Sequence, residues 1–355
     1  MSSDLRVALV GYGLGGRAFH APLIAITPGL RLTTIVTANP ERRAAAARDF
    51  PDARIVDSAD EVWANADGHD LVVITTPNRF HVPLARAAVA SLLAVVVDKP
   101  MAATANEARE LVAEAQRAGV PLTAYHNRRW DGEMLTAGRL IESGELGTVV
   151  RFESRLDRWR PTPAANVWRE RGKPEEAGGL LYDLGPHLID QARLLFGPVA
   201  EVYAEVERRR PGAHVDDDVF IALHHSSGTR SHLWASSVAA QAGMRMRVLG
   251  TRAAYTKAHA DVQEAALRAG KRADEPGFGE DPPDQWGTLG AGSDTRPVKT
   301  EKGDYQRFYA QAVPWLRDGA PPPVDPADAI AVLEIIEAAQ RSSAEAKVVR
   351  FPQGC

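Results

Sequence analysis

Apolar and polar positions keep two periods in turn along the first third of the chain. Short β-rich runs fall at 6–10 (RVALV), 31–37 (RLTTIVT), 53–56 (ARIV), 70–76 (DLVVITT), 92–98 (LLAVVVD) and 120–126 (VPLTAYH). Between them lie stretches with helical spacing. The first, GYGLGGRAFHAPLIAI, turns and then reads as a helix. The others are 40–50 with Pro40 at its start, 59–65, 81–91, and 106–119 closed by Gly119. Strict alternation of strand and helix predicts a parallel sheet covered on both faces.

Beyond Arg128-Arg129-Trp130 the pattern changes. Strand-like runs at 149–159, 199–208, 219–227, 229–237 and 244–251 follow one another with few helices between, which predicts a largely antiparallel sheet with 347–351 as a late edge strand. One face of such a sheet could support contacts between subunits. A single helix interrupts it at 177–197, AGGLLYDLGPHLIDQARLLFG. Leu188, Ala192 and Leu195 mark one stripe of that helix, and Asp183, His187 and Asp190 share another. Proline is at ease only in a first helical turn, so Pro186 places the start near Asp183, with Asp183 as cap. Residues 270–304 are rich in Gly, Pro and Asp and read as one long loop. Residues 305–319 and 325–346 read as two helices against a second domain. The expected architecture is therefore α/β: a Rossmann-type domain over 1–124, then an α/β domain with an open, mostly antiparallel sheet over 125–355.

Composition narrows the function. At 355 residues the chain is too long for one comfortable core, and two domains are expected. A net charge of −4 gives no reason to expect nucleic acid or an anionic membrane as partner. Cys355 is the only cysteine, which excludes an internal disulfide and a cysteine zinc site. The N-terminus lacks the pattern of a signal peptide, and no apolar run approaches the roughly 20 residues that span a bilayer. A cytoplasmic protein is expected.

The chemistry concentrates where the strands end. Gly11, Gly13 and Gly16 form G-x-G-x-x-G directly after the first strand and before a helix, the context a dinucleotide turn requires. With Tyr12 and Leu14 they would cradle a pyrophosphate. The second strand ends in Thr37-Ala38-Asn39 with Arg42 and Arg43 beyond, and no carboxylate stands at its tip. That favours NADP over NAD, although NAD is not excluded and the arginines could equally be a solvated helix face. Thr76-Pro77-Asn78 ends the fourth strand, and His81 follows it either as a cofactor contact or as a structural histidine. The fifth strand stops at Asp98-Lys99-Pro100, where Lys99 is either a solvated lysine or a working ammonium. A histidine one turn from a carboxylate, as in Asp183 and His187, suits proton transfer, while capping or plain burial would explain the same spacing. His224 and His225 are adjacent on a strand and face opposite ways, so with His232 they make a poor metal site; none is expected. Arg208-Arg209-Arg210 reads as a solvated hairpin turn.

Taken together, GYGLGG, TTPNRFH, VDKP and YDLGPHLID resemble the Gfo/Idh/MocA oxidoreductases, in order and spacing, over essentially the whole chain. Within that family, GYGLGGRAFHAPL, YHNRRWD and LYDLGPHLIDQ look most like the NADP-dependent scyllo-inositol dehydrogenases. The resemblance implies that Lys99 contacts substrate and nicotinamide, that Asp183 and His187 are the proton-transfer pair, and that Trp168 and Arg169 pack near the nicotinamide. It also implies a pocket bordered by Asn127, with Asp157 among the groups available to a polyol. Two departures stand out. Asp98 replaces the motif glutamate, and Ala38-Asn39 replaces a Ser-Arg pair, so any grip on a 2′-phosphate falls to Thr37, Asn39 or the later arginines. The implied activity is hydride transfer between nicotinamide and a secondary alcohol or ketone of a cyclic polyol or sugar, in a homodimer or homotetramer. Reduction of another keto- or anhydro-sugar is the alternative, as is a non-catalytic NADP(H) sensor.

Overall fold

The computed structural model describes residues 4–164, 168–170 and 176–352. The chain opens with β1 (Leu5–Val10), a π-helical turn over Gly15–His20, α1 (Ala21–Ile26) and β2 (Leu30–Val36). It continues through α2 (Pro40–Asp49), β3 (Arg54–Val56), α3 (Asp60–Trp63), β4 (Leu71–Ile74), α4 (His81–Ala90) and β5 (Ala94–Asp98). Next come α5 (Ala105–Ala118), β6 (Leu122–Tyr125) and α6 (Gly132–Glu142). Then follow β7 (Val149–Asp157), α7 (Leu180–Phe196), β8 (Val199–Glu207), β9 (Asp218–His225), β10 (Arg230–Ser236), β11 (Met246–Gly250) and β12 (Ala254–Lys257). The last elements are α8 (Gln263–Arg268), β13 (Gly287–Ala291), β14 (Asp294–Val298), α9 (Gln306–Asp318), α10 (Pro326–Glu345) and β15 (Val349–Arg350).

Two compact units result. The first is Met1–Asn127 with Gln263–Phe278 and Tyr305–Ile330; the second is Arg128–Val262 with Gly279–Asp304 and Ala331–Cys355. The first unit holds a parallel sheet in the order β3-β2-β1-β4-β5-β6. Its central strands are apolar on both faces: Val7 to Leu9, Leu71 to Ile74 and Val95 to Val97 have no exposure. Because all six strands point the same way, one rim of the sheet collects Gly11, Thr37, Thr75, Asp98 and His126.

The second unit holds a nine-stranded sheet, β14-β13-β12-β11-β7-β10-β9-β8-β15. Every pair is antiparallel except β7 with β10. β9 alternates buried and half-exposed residues along its whole length, and α7 packs on the buried face against β7, β9 and β10. The other face carries Tyr203, Phe220, His232 and Trp234 as a run of touching rings, with the Arg155 guanidinium 3.8 Å over Trp234.

Three expectations are corrected. The 270–304 segment is not one loop: β13 and β14 form a hairpin around Gly292, whose φ of +58° suits glycine, and they extend the second sheet. Pro297 is tolerated because β14 is the edge strand. The helix in 305–319 belongs to the first unit, not the second domain: α9 packs on α1, and Phe308 and Tyr309 close around Tyr125. Finally, Arg210 is no solvated turn residue. It is 6% exposed, and its Nε donates to the buried Asp217 at 2.8 Å.

Candidate active site

The glycine turn is built by steric necessity at two positions and left open at a third. A Cβ on Gly11, whose φ is +108°, would lie 2.8 Å from the Thr75 carbonyl oxygen. One on Gly16 would lie 2.2 Å from the Gly11 oxygen. Around Gly13 the nearest atom is Arg42 Nη1 at 3.9 Å, so main chain there is open to a ligand. Leu14 is half exposed beside it. Tyr12 turns inward: its hydroxyl donates to Asp49 at 3.2 Å, its ring meets Phe50 edge-on, and burial first, then Asp49, pushes its pKa up. Only the main chain of Tyr12 is left for a cofactor.

At the tip of β2 the polar groups divide their work. Thr37 is buried. Asn39 caps α2, its side chain accepting from the Arg42 amide at 2.9 Å. Arg43 turns away to Asp57 and to the Thr37 carbonyl. Of the two arginines, Arg42 alone reaches the glycine turn.

The tips of β4 and β5 are pinned through backbone. His81 is fully enclosed, with Nδ1 2.8 Å from the Pro100 oxygen and Nε2 2.8 Å from the Thr76 oxygen. Both ring nitrogens face main-chain carbonyls, and burial depresses the pKa of the ring, so the neutral ring donates to one of the two. Thr76 Oγ1 is buried without a hydrogen-bond partner among the described residues, beside half-exposed Pro77 and buried Asn78. Asp98 accepts from the Lys99 amide at 2.8 Å and from the Thr75 hydroxyl at 3.3 Å. Burial alone would raise its pKa, but His20, Lys99 and His81 together outweigh that and hold it below the carboxylate range. Lys99 is half-exposed between Asp98 and buried Pro100, and Asn127 is buried just after β6.

In the second unit, α7 begins at Leu180, three residues before the expected cap. Asp183 lies inside the first turn, with its amide bonded to the Gly179 carbonyl, so it caps nothing. The orphan amides are met from elsewhere. Asp216 Oδ2 accepts from Leu181 at 2.6 Å, and the Asp216 carbonyl accepts from Leu180 at 3.0 Å. A Cβ on Gly179 would sit 2.0 Å from Asp216 Oδ1, so the approach needs glycine. Burial raises the Asp216 pKa to about 6 against the pull of these amides. The helix also runs through Pro186.

The carboxylate of Asp183 stands 3.2 Å from Arg169 Nε and 4.0 Å from Arg158 Nη1. His187 is buried one turn on. Asp190 is bound by Arg129 through two hydrogen bonds of 2.9 and 2.5 Å, which assigns it to structure. Asp157 accepts from the Gly243 amide at 3.1 Å. The side chain of Trp168 lies outside the described residues, as does Cys355; the main chain of Trp168 opens a short 3-10 turn through Glu170. His225 bonds Ser231 and Gly197 while His224 faces Glu201, so the two do point apart.

Sequence reasoning missed His20, Tyr309, Asp216 and the Arg210–Asp217 pair. His20 with Tyr309 and Asp216 with Leu181 act across long stretches of chain, and the Arg210–Asp217 pair closes a turn of seven residues whose spacing does not announce an ion pair. The run Asp216-Asp217-Asp218 before a strand was the one available signal, since three carboxylates there need partners.

Residues 5–126 match the family model described as an oxidoreductase family, NAD-binding Rossmann fold, and residues 139–351 match its C-terminal alpha/beta domain. The chain is 39% identical to the uncharacterized oxidoreductase YdgJ of Escherichia coli, covering 95% of this chain and 96% of that one. It is 36% identical to scyllo-inositol 2-dehydrogenase (NADP(+)) IolW of Bacillus subtilis, covering 97% and 95%. Among solved structures, the oxidoreductase yvaA of Bacillus subtilis superposes with a TM-score of 0.92 at 35% identity, covering 98% and 99%. With both of its domains matched in order, the chain belongs to the Gfo/Idh/MocA family of NAD(P)-binding oxidoreductases.

Proposed function

We propose that the protein is an NADP-preferring dehydrogenase that reversibly oxidises a secondary alcohol of a cyclic polyol or sugar, of the scyllo-inositol type. The observation that carries the reading is the open main chain at Gly13 with Arg42 beside it. A dinucleotide fits these residues. The glycine turn leaves room for a pyrophosphate, the buried Thr76 hydroxyl lacks a partner among the described residues, and the Arg42 guanidinium beside Gly13 suits a 2′-phosphate. Likeness to IolW supports both the cofactor and the substrate class.

In this reading Gly11 to Gly16, Thr37, Arg42, Thr76 to Asn78 and Asn127 bind the dinucleotide, with Trp168 and Arg169 near its nicotinamide. His81, Asp98 and Pro100 support that site from beneath. When bound, the nicotinamide supplies the hydride acceptor or donor. Lys99 donates a hydrogen bond to the substrate oxygen and stabilises developing alkoxide charge. His187 takes the hydroxyl proton, and Asp183 balances the imidazolium that forms. Asn127 and Asp157 offer polar groups to the remaining hydroxyls. Residues 1–124 carry the cofactor, supported by α8 and α9, and 125–355 carry the substrate. The aromatic face of the nine-stranded sheet carries self-association into a dimer or tetramer.

Initial rates of NADP⁺ and NAD⁺ reduction against scyllo-inositol, myo-inositol and several aldoses test the reading. Saturable turnover with one polyol and NADP⁺ is expected. A family relative, the D-apiose dehydrogenase of Paraburkholderia graminis, is 28% identical over 97% of this chain, so apiose belongs in the panel. NADPH binding with no turnover on any of these would overturn the polyol assignment.

A further inference from the structure

We propose that His20 is a positioning residue that locks Asp98, and through Asp98 the main chain of Lys99, from beneath the rim of the parallel sheet. Its ring has no solvent exposure and is tilted against Tyr125, with centroids 4.2 Å apart. Nδ1 lies 2.6 Å from the hydroxyl of Tyr309, which reaches in from α9, nearly the whole length of the chain away. Tyr309 is enclosed, and burial pushes its pKa well above the ordinary value, so its hydroxyl keeps its proton and can offer it to Nδ1. With the hydroxyl as donor to Nδ1, the ring proton belongs on Nε2. Among the described residues Nε2 is buried without a hydrogen-bond partner, and it stands 3.7 Å from Asp98 Oδ2. The distance exceeds a hydrogen bond, and the enclosed N–H dipole still attracts the carboxylate, whose side chain is 20% exposed.

Asp98 passes the constraint on. Oδ1 accepts the Lys99 amide at 2.8 Å, and Oδ2 takes the Thr75 hydroxyl. The same Oδ2 would lie 3.2 Å from a Cβ on Gly15, so the carboxylate also fills the space under the glycine turn. A line of oriented groups thus runs Tyr309 O–H, His20 Nδ1, His20 Nε2–H, Asp98 and the Lys99 N–H. The titratable groups facing it are Asp98, Lys99, His81, Tyr125 and Tyr309.

The catalytic arm of the test rests on the function proposed above; the spectroscopic arm does not. Nitrogen-15 spectra of histidine-labelled protein, with His20→Gln to assign the signal, should show His20 with its proton on Nε2. Asp98→Asn should move that resonance while leaving the resonance of His225 in place. In turnover with scyllo-inositol, His20→Phe should lower kcat about tenfold with KM for the dinucleotide within about twofold. His20→Gln, which returns an N–H near the position of Nε2, should recover most of that loss. A proton on Nδ1, or no response of the resonance to Asp98→Asn, would overturn the proposal whether or not inositol is a substrate. So would equal losses in the Phe and Gln variants at unchanged thermal midpoint.

Discussion

Two regions carry the groups assigned to the reaction, and they are held in opposite ways. The rim around Lys99 is fixed by main chain and near neighbours: the Asp98 carboxylate on the Lys99 amide, the His81 nitrogens on two carbonyls, and glycines that only a tight turn can use. Helix α7, with Asp183 and His187, is fixed from a distance. Its first amides are met by Asp216, and the next residue, Asp217, is buried against Arg210. The lesson is that a site residue at a strand tip inherits its position from sheet topology, whereas one in a helix needs charges brought in by other segments.

The sharpest way to break this contrast is to cut the remote support. Arg210→Ala leaves Asp217, 1% exposed in its side chain, without its cation. A loss of about 3 kcal/mol is expected in the free energy of unfolding by urea, since the buried charge keeps only the Arg209 and Arg210 amides as partners among the described residues. A loss under 1 kcal/mol would show that α7 does not depend on the pair.

Asp216 sharpens the same point through pH. Its folded pKa of about 6 lies above the ordinary 3.8, so it contributes stability that is full below about pH 3.8 and lost as pH rises through 6. Asp216→Asn keeps an acceptor for Leu181 and removes the titration. That variant should be at least as stable as wild type at pH 7, while Asp216→Ala should cost about 1 kcal/mol through loss of the cap. Parallel stability profiles of wild type and Asp216→Asn between pH 4 and 7 would contradict the assignment.

Smaller effects belong to the rim. Arg42→Ala should raise KM for NADP⁺ about tenfold and leave KM for NAD⁺ unchanged, the signature of a lost charge-assisted contact to a 2′-phosphate. Equal change with both nucleotides would return Arg42 to the solvated helix face. Asn39→Ala should cost about 1 kcal/mol, because the side chain caps α2.

How much of this was readable follows from the same contrast. The parallel sheet, the glycine turn and the strand ending at Lys99 announce themselves because each is a local pattern with a local physical cause. The cap that Asn39 gives α2 was not read, because a cap and a phosphate contact use the same residue type at the same helix start. The start of α7 was misjudged because Pro186 suggested a first turn, while the true cap comes from Asp216, 35 residues beyond Leu181. α9 was assigned to the wrong unit because its apolar stripe says that it packs but not on what; Tyr309 against His20 decides that. The β13–β14 hairpin was hidden by its Gly, Asp and Pro content, which an edge position permits.

The most direct test of the central claim is the Lys99→Ala variant, measured for turnover and for NADPH binding in the same preparation. The account predicts a fall in kcat of at least about two orders of magnitude with the dissociation constant for NADPH little changed. Unaltered turnover at intact binding would contradict it.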